Sequence, residues 1–168
     1  MILECYVKTD LMMEAFENAG LSSYCYTKRK GQPWSTLGDM IKTNQRLVVF
    51  TDNKDTVKKE NWYHYVWDHA AETHFSVQKA KSFCCDYNRG ADDVNDKDLF
   101  IFNHFITRKR LGIGRKRKSK KVNTYDFLLQ RIQNCQVHTG KIPNFITIDF
   151  YSLGNAKADV DFLNDSSR

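Results

Sequence analysis

The chain has 168 residues, of which 41% are hydrophobic and 27% charged, with only two Pro and a formal net charge of +6. Such a composition excludes global disorder and gives enough chain for one domain with a buried core. No apolar run approaches the length of a membrane span, and Met1-Ile2-Leu3-Glu4 lacks the basic start and unbroken apolar run of a signal peptide.

Ile2 to Val7 reads as a strand. Leu11, Met12, Ala15, Phe16 and Ala19 recur at helical spacing, and Gly20 stands where helices often end. Leu21 to Tyr26 reads as a short extended segment, and residues 28–33 as a loop. Thr36 offers an N-cap with Asp39 three residues on, and Leu37, Met40 and Ile41 give the apolar face of a short helix. Residues 46–52 are a buried strand ending in Asp52, followed by a polar loop to Glu60. Trp62, Tyr63, Tyr65, Val66 and Trp67 form an aromatic cluster of core or rim type. Residues 83–98 read as irregular. Leu99 to Phe105 is a further buried strand carrying Asn103-His104 at its end. Tyr125, Leu128, Leu129, Ile132 and Cys135 trace a helical face that Gly140 and Pro143 close. Asn144 to Tyr151 is a last buried strand with Asp149 near its end, and Ala158, Val160, Phe162 and Leu163 suggest a final short helix.

Apolar runs without polar alternation, interleaved with helices, predict an α/β fold with parallel strands covered by helices. The expected organisation is one domain over 1–164, with a basic insert at 108–121 and a frayed tail at 165–168. Asp52, Asn103-His104 and Asp149 each follow an apolar run. In a parallel sheet such ends share a rim, where α/β folds and barrels place their sites. Asp149 is therefore read either as a solvated strand end or as a carboxylate that orients a ligand or a catalytic group.

The segment 108–121 holds nine Lys or Arg and no acid, more than the whole net charge, so the rest of the chain is mildly acidic. It reads as a solvated loop, as a binder of phosphates on lipid head groups or nucleic acid, or as a nuclear-import signal. Gly112-Ile113-Gly114 lacks a third Gly and follows no strand, which excludes a dinucleotide loop. His69, Glu72 and His74 do not have the spacing of a metal site, and no metal or cofactor is expected. The five Cys contain no C-x-x-C pair, leaving one disulfide or free buried thiols.

Pro33 to Ile41, Asn44 to Thr51, Asn88-Arg89, Leu99 to Phe105 and Pro143 to Tyr151 together resemble, in order and spacing, the phosphatidylinositol-specific phospholipase C X-domain-like phosphodiesterases. The resemblance covers roughly residues 10–155. It implies the C-terminal half of a distorted TIM barrel and a phosphoric diester hydrolase of lipid metabolism. Asp149 matches the Asp that holds a catalytic His in orientation. Asp52, Asn103 and His104 match positions at the barrel mouth, and Glu72 and Arg89 fall where loops approach it. One disulfide among Cys84, Cys85 and Cys135 is also implied. Full-length relatives are often secreted, whereas a chain beginning at Met1 is expected to start in the cytosol.

In this family one His takes the proton of the inositol 2-hydroxyl and a second protonates the leaving group. Both come from the first half of the barrel, and none of the five His here matches them. The chain is therefore expected not to hydrolyse phosphodiesters alone. Its expected partners are a phosphodiester or phosphoinositide head group, and an N-terminal half-barrel or another chain to cover the sheet edges. An alternative is a non-catalytic module that docks anionic membranes or phosphates through 108–121.

Overall fold

A computed structural model describes residues 1–4, 6–28, 32–57, 62–90, 99–108 and 111–166. Cys5 of the predicted first strand, the middle of the predicted loop at 28–33, the end of the loop at 52–60, residues 91–98 of the irregular stretch, two basic residues of the 108–121 insert and the end of the tail lie outside them. The chain divides into two compact units, Met1–His69 and Ala70–Arg168.

In the first unit, strands β1 (Ile2–Leu3), β2 (Val49–Thr51) and β3 (Tyr63–Tyr65) form a parallel sheet in that order. Helix α1 (Thr9–Asn18) packs Met12, Met13 and Phe16 onto a core of Cys25, Val49 and Tyr63, while Leu11 of the predicted face is exposed. Ser22–Tyr24 is a turn of 3₁₀ helix rather than an extended segment, and only Cys25 bridges, to Leu47. Helix α2 (Leu37–Lys42) starts as predicted: Thr36 Oγ1 accepts from the Asp39 backbone N–H at 3.1 Å and donates to the Asp39 carboxylate at 2.7 Å. Of its expected apolar face only Met40 is buried. The aromatic residues interlock as core: Phe16 stacks on Trp62 at 5.0 Å, and Trp34 meets His69 edge-on at 5.6 Å.

The second unit contains strands β4 (Ala70–Thr73), β5 (Tyr87–Arg89), β6 (Leu99–His104) and β7 (Phe145–Ile148) in the order β5-β4-β6-β7. Strands β4, β6 and β7 are parallel, and β5 runs antiparallel to β4. Helices α3 (Lys116–Val122), α4 (Tyr125–Thr139) and α5 (Ala156–Ser166) complete it. Leu128, Ile132 and Cys135 of α4 pack with Phe100 and Phe102 of β6, and Gly140 caps α4 at φ 72°. A disulfide joins Cys85 to Cys135, with 5.0 Å between their Cα atoms.

Three differences from the sequence reading have physical causes. Strand β4 was hidden because Ala70, Ala71 and Thr73 are small residues without an apolar run. Strand β5 is a two-sided, half-exposed edge strand in a stretch read as irregular. Within the basic segment, Lys116–Val122 is helical because Ser119 and Val122 turn inward at helical spacing while Lys116, Arg117, Lys120 and Lys121 face solvent. Among the described residues the strands form two sheets and no closed barrel.

Candidate functional site

Side chains alternate across a strand, so the faces of the four-stranded sheet are set by parity. Phe100, Phe102 and His104 of β6 face the helices. Ile101 and Asn103 face the other way, beside Glu72 of β4 and Thr147 of β7, which share their registers.

Asn103 is the centre of that second face. Its Nδ2 donates to Glu72 Oε2 at 2.9 Å and to the Thr73 carbonyl at 2.7 Å. Its Oδ1 accepts from Thr147 Oγ1 at 2.6 Å, and its backbone N–H donates to Thr73 Oγ1 at 3.0 Å. Two acceptors on one side and a hydroxyl donor on the other fix the amide's orientation. Glu72, 4% exposed, takes its second interaction from Arg89 Nε through an ion pair across the β4–β5 ladder. Burying a carboxylate to this degree is costly unless it is paired and hydrogen-bonded, and Glu72 has both partners. The Arg89 guanidinium also lies 4.7 Å over the Phe75 ring while its side chain remains 44% exposed. The cluster thus offers a fixed carboxylate and a partly solvated cation near the C-terminal ends of parallel strands. It suits a polyhydroxylated ligand bearing an anionic group.

Glu72, Arg89 and Asn103, three of the residues singled out from the sequence, meet here. His104 does not join them, because strand alternation turns it into the opposite core. There its Nδ1 accepts from Arg131 Nη1 at 2.9 Å, so its Nε2 carries the proton and donates to the Val122 carbonyl at 2.9 Å. Burial pushes its pKa down to about 4, and the neighbouring Arg131 charge acts in the same direction. Arg131 is held between the rings of Phe83 and Phe102 at 4.1 and 4.0 Å and also donates to the Asn103 carbonyl at 2.9 Å. Burial lowers its pKa to about 10, which leaves it charged near neutrality.

Asp149 follows β7 and is half-buried, and burial raises its pKa. Its carbonyl accepts from Asn123 Nδ2 at 2.9 Å. Among the described residues no Lys or Arg is ion-paired with it, and Gly114 approaches so closely that a Cβ there would overlap the carboxylate. Phe150, immediately after it, has φ 55°, an uncommon conformation for an aromatic residue. Asp52 closes β2 in the first unit, where its backbone N–H donates to the Leu3 carbonyl at 3.3 Å.

Sequence reasoning missed Thr147 and Arg131. Thr147 was visible as the one polar residue within an apolar strand. Nothing in the sequence marked Arg131 as buried, since it sits among the ordinary charges of a helix. Among the described residues no group of three or more His, Cys, Asp or Glu is placed to hold a metal ion.

The sequence model of the family described as PI-PLC X 1 matches residues 5–164. A PI-PLC X domain-containing protein of Arabidopsis thaliana is 29% identical over 171 residues, covering 97% of this chain and 38% of the relative. PI-PLC X domain-containing protein 1 of Arthroderma benhamiae is 25% identical, covering 73% of this chain and 42% of its own length. An uncharacterized secreted protein of the same fungus is 23% identical, with coverages of 86% and 36%. The chain therefore spans about two fifths of the length of these relatives. No solved structure matches with significance.

Proposed function

The chain belongs to the PI-PLC X domain family, and from that premise we propose that it supplies the C-terminal half of a phospholipase C-like phosphodiesterase. Parallel β1–β3 and parallel β4, β6 and β7 are strands of the kind a distorted TIM barrel uses. The carrying observation is the Glu72–Asn103–Arg89 network near the strand ends. In this reading Glu72 accepts hydrogen bonds from hydroxyls of an inositol phosphate head group. Arg89 offsets the charge of the phosphate, and Asn103 and Thr147 hold Glu72 in place. Asp149 is the carboxylate that orients a catalytic His, and Asp52 is a further pocket residue. His104 acts at a distance, by fixing the strand that carries Asn103.

The acid–base pair that this chemistry needs is not among the five His of the chain. Residues 1–168 therefore bind the head group without turning it over, and activity requires a first half-barrel, in the same or another chain. Titration of the purified protein with myo-inositol 1-phosphate, followed by NMR, tests this. Shifts confined to Glu72, Arg89, Asn103 and Thr147, lost in Glu72→Gln and Arg89→Ala, are expected, with no release of inositol phosphate from phosphatidylinositol. Absence of those shifts overturns the site. Cleavage by contaminant-free protein overturns the assignment of inactivity.

A further inference from the structure

The chain that leaves β4 is braced along its length. Val77 is buried, and its carbonyl accepts from the Thr107 N–H at 2.8 Å. Lys118 Nζ donates to the Gln78 carbonyl at 3.1 Å. Ala80–Ser82 makes one turn of 3₁₀ helix, in which the Ser82 N–H donates to the Lys79 carbonyl at 2.9 Å. At the start of the stretch the Ser76 N–H donates to His74 Nδ1 at 2.9 Å, which leaves the imidazole proton on Nε2. Residues 74–84 hold two Lys and no acid.

An open cavity of about 450 Å³ lies against this stretch, lined by His74, Gln78, Lys79, Lys81, Ser82 and Cys84. Among the described residues neither Lys79 nor Lys81 has an ion-pair partner. A third cation stands behind the wall. Arg131, 8% exposed, donates from Nη2 to the Cys84 carbonyl at 3.3 Å. Its other acceptors, the Asn103 carbonyl and His104 Nδ1, are also neutral. A buried guanidinium is costly without an opposite charge, and among the described residues no carboxylate pairs with it. Its field reaches the cavity through protein rather than water, so salt screens it little.

The cavity adjoins the Glu72–Arg89 cluster. His74 stacks on Phe75 with 5.6 Å between ring centres, and the Arg89 guanidinium lies 4.7 Å over the same Phe75 ring. Two ammonium groups, an imidazole N–H and a hydroxyl around one opening suit a small, multiply charged anion rich in acceptor oxygens. A phosphomonoester has three such oxygens and nearly two charges at neutral pH, where a carboxylate has two oxygens and one charge. We infer that this cavity is a binding site for a phosphomonoester, carried on an inositol ring held at Glu72 and Arg89 or by a free sugar phosphate. Only the first source rests on the phosphodiesterase reading, and it makes the bound head group one with a second phosphate.

Titration of the full chain with inorganic phosphate at low salt, followed by NMR, tests the anion site apart from the head-group site. Saturable shifts at His74, Lys79, Lys81, Ser82 and Cys84 are expected. Lys79→Gln with Lys81→Gln should weaken binding roughly tenfold. Both Lys are exposed, so this variant should keep the urea midpoint of the parent. In a second measurement, phosphate should slow alkylation of Cys84 by iodoacetamide in the parent and not in the variant. The source is then read from three ligands. If the phosphate belongs to the head group, myo-inositol 1,4-bisphosphate binds about tenfold tighter than myo-inositol 1-phosphate, and the Gln pair abolishes the gain. If it is free, glucose 6-phosphate moves residues 74–84 alone and the bisphosphate shows no gain. Either result supports the anion site. Failure of myo-inositol 1-phosphate to move Glu72, with phosphate still moving residues 74–84, overturns the head-group site and supports this one. No saturable shift at residues 74–84, equal shifts at the remote Lys42 and Lys157, or binding unchanged by the Gln pair overturns the proposal.

Discussion

Arg131 donates from Nη1 to Nδ1 of His104 at 2.9 Å inside the core of the second unit. That bond requires a neutral imidazole, and its pKa is pushed down to about 4 from the ordinary 6.5. The unfolded chain therefore binds a proton at His104 that the folded chain does not. The contribution is fully present above pH 6.5 and is lost as pH falls towards 4. Its size is about 3 kcal/mol if the whole shift is realised.

Asp159 opposes this trend. Its side chain on α5 is fully buried, neither carboxylate oxygen has a hydrogen bond of good geometry, and burial raises its pKa to about 6. It costs stability when charged, so acidification from pH 6 towards 4 relieves a penalty there. Asp159→Asn is expected to raise the urea midpoint at pH 7, by about 1–3 kcal/mol in stability, and to do little near pH 4. The same variant should steepen the loss of stability on acidification, because the opposing Asp159 effect is then removed. Urea titrations of parent and variant at pH 7, 5.5 and 4.5 read both effects. An unchanged midpoint at pH 7 counts against a charged, buried Asp159.

The Cys85–Cys135 disulfide ties the segment before β5 to the buried face of α4, closing a separation of 50 residues. Cys85→Ser is expected to lower stability by about 2–4 kcal/mol. Adding reductant should destabilise the parent similarly and leave the variant unaffected. Among the described residues Cys25 and Cys84 are the free thiols, so alkylation and mass spectrometry of the unreduced protein should label Cys84 and protect Cys85.

What the sequence made legible follows from where its signals are strong. The α/β class, the Thr36 cap, the face of α4 and the polar ends of β2, β6 and β7 rest on periodicity and capping chemistry, which local residues dictate. Glu72 and Arg89 could be named but not joined. Their pairing runs across β4 and β5, a strand of small residues and a short edge strand, neither of which leaves an apolar pattern. Asn103 and His104 are adjacent in sequence, and only parity separates them: one faces Glu72 and the other Arg131. Which parity applies depends on where α4 packs, a long-range fact.

The Asn103 network makes a sharper prediction. Thr147→Val removes the hydroxyl that donates to Asn103 Oδ1 and leaves a buried acceptor unsatisfied, at a cost of about 1–3 kcal/mol. Asn103→Leu removes the amide from Glu72 as well and is expected to cost more. In the double variant the Thr147 substitution should cost much less than it does alone, since the orphaned acceptor is gone. Urea midpoints of the four proteins give the coupling. Additive effects would show that the 2.6 Å bond carries no weight.

Gly114 is the last position to probe, because it separates crowding from backbone strain. A Cβ at Gly114 would overlap the Asp149 carboxylate. The neighbouring Gly112 has φ 60° and open space around it. Gly112→Ala should therefore cost about 1–2 kcal/mol through its left-handed backbone alone. Gly114→Ala must instead move Asp149 or the 107–114 turn. It is expected to displace the resonances of Asp149, Phe150 and Asn123 by NMR, which Gly112→Ala leaves in place. If the Asp149 resonances stay fixed in Gly114→Ala, the close approach does not hold the carboxylate in position.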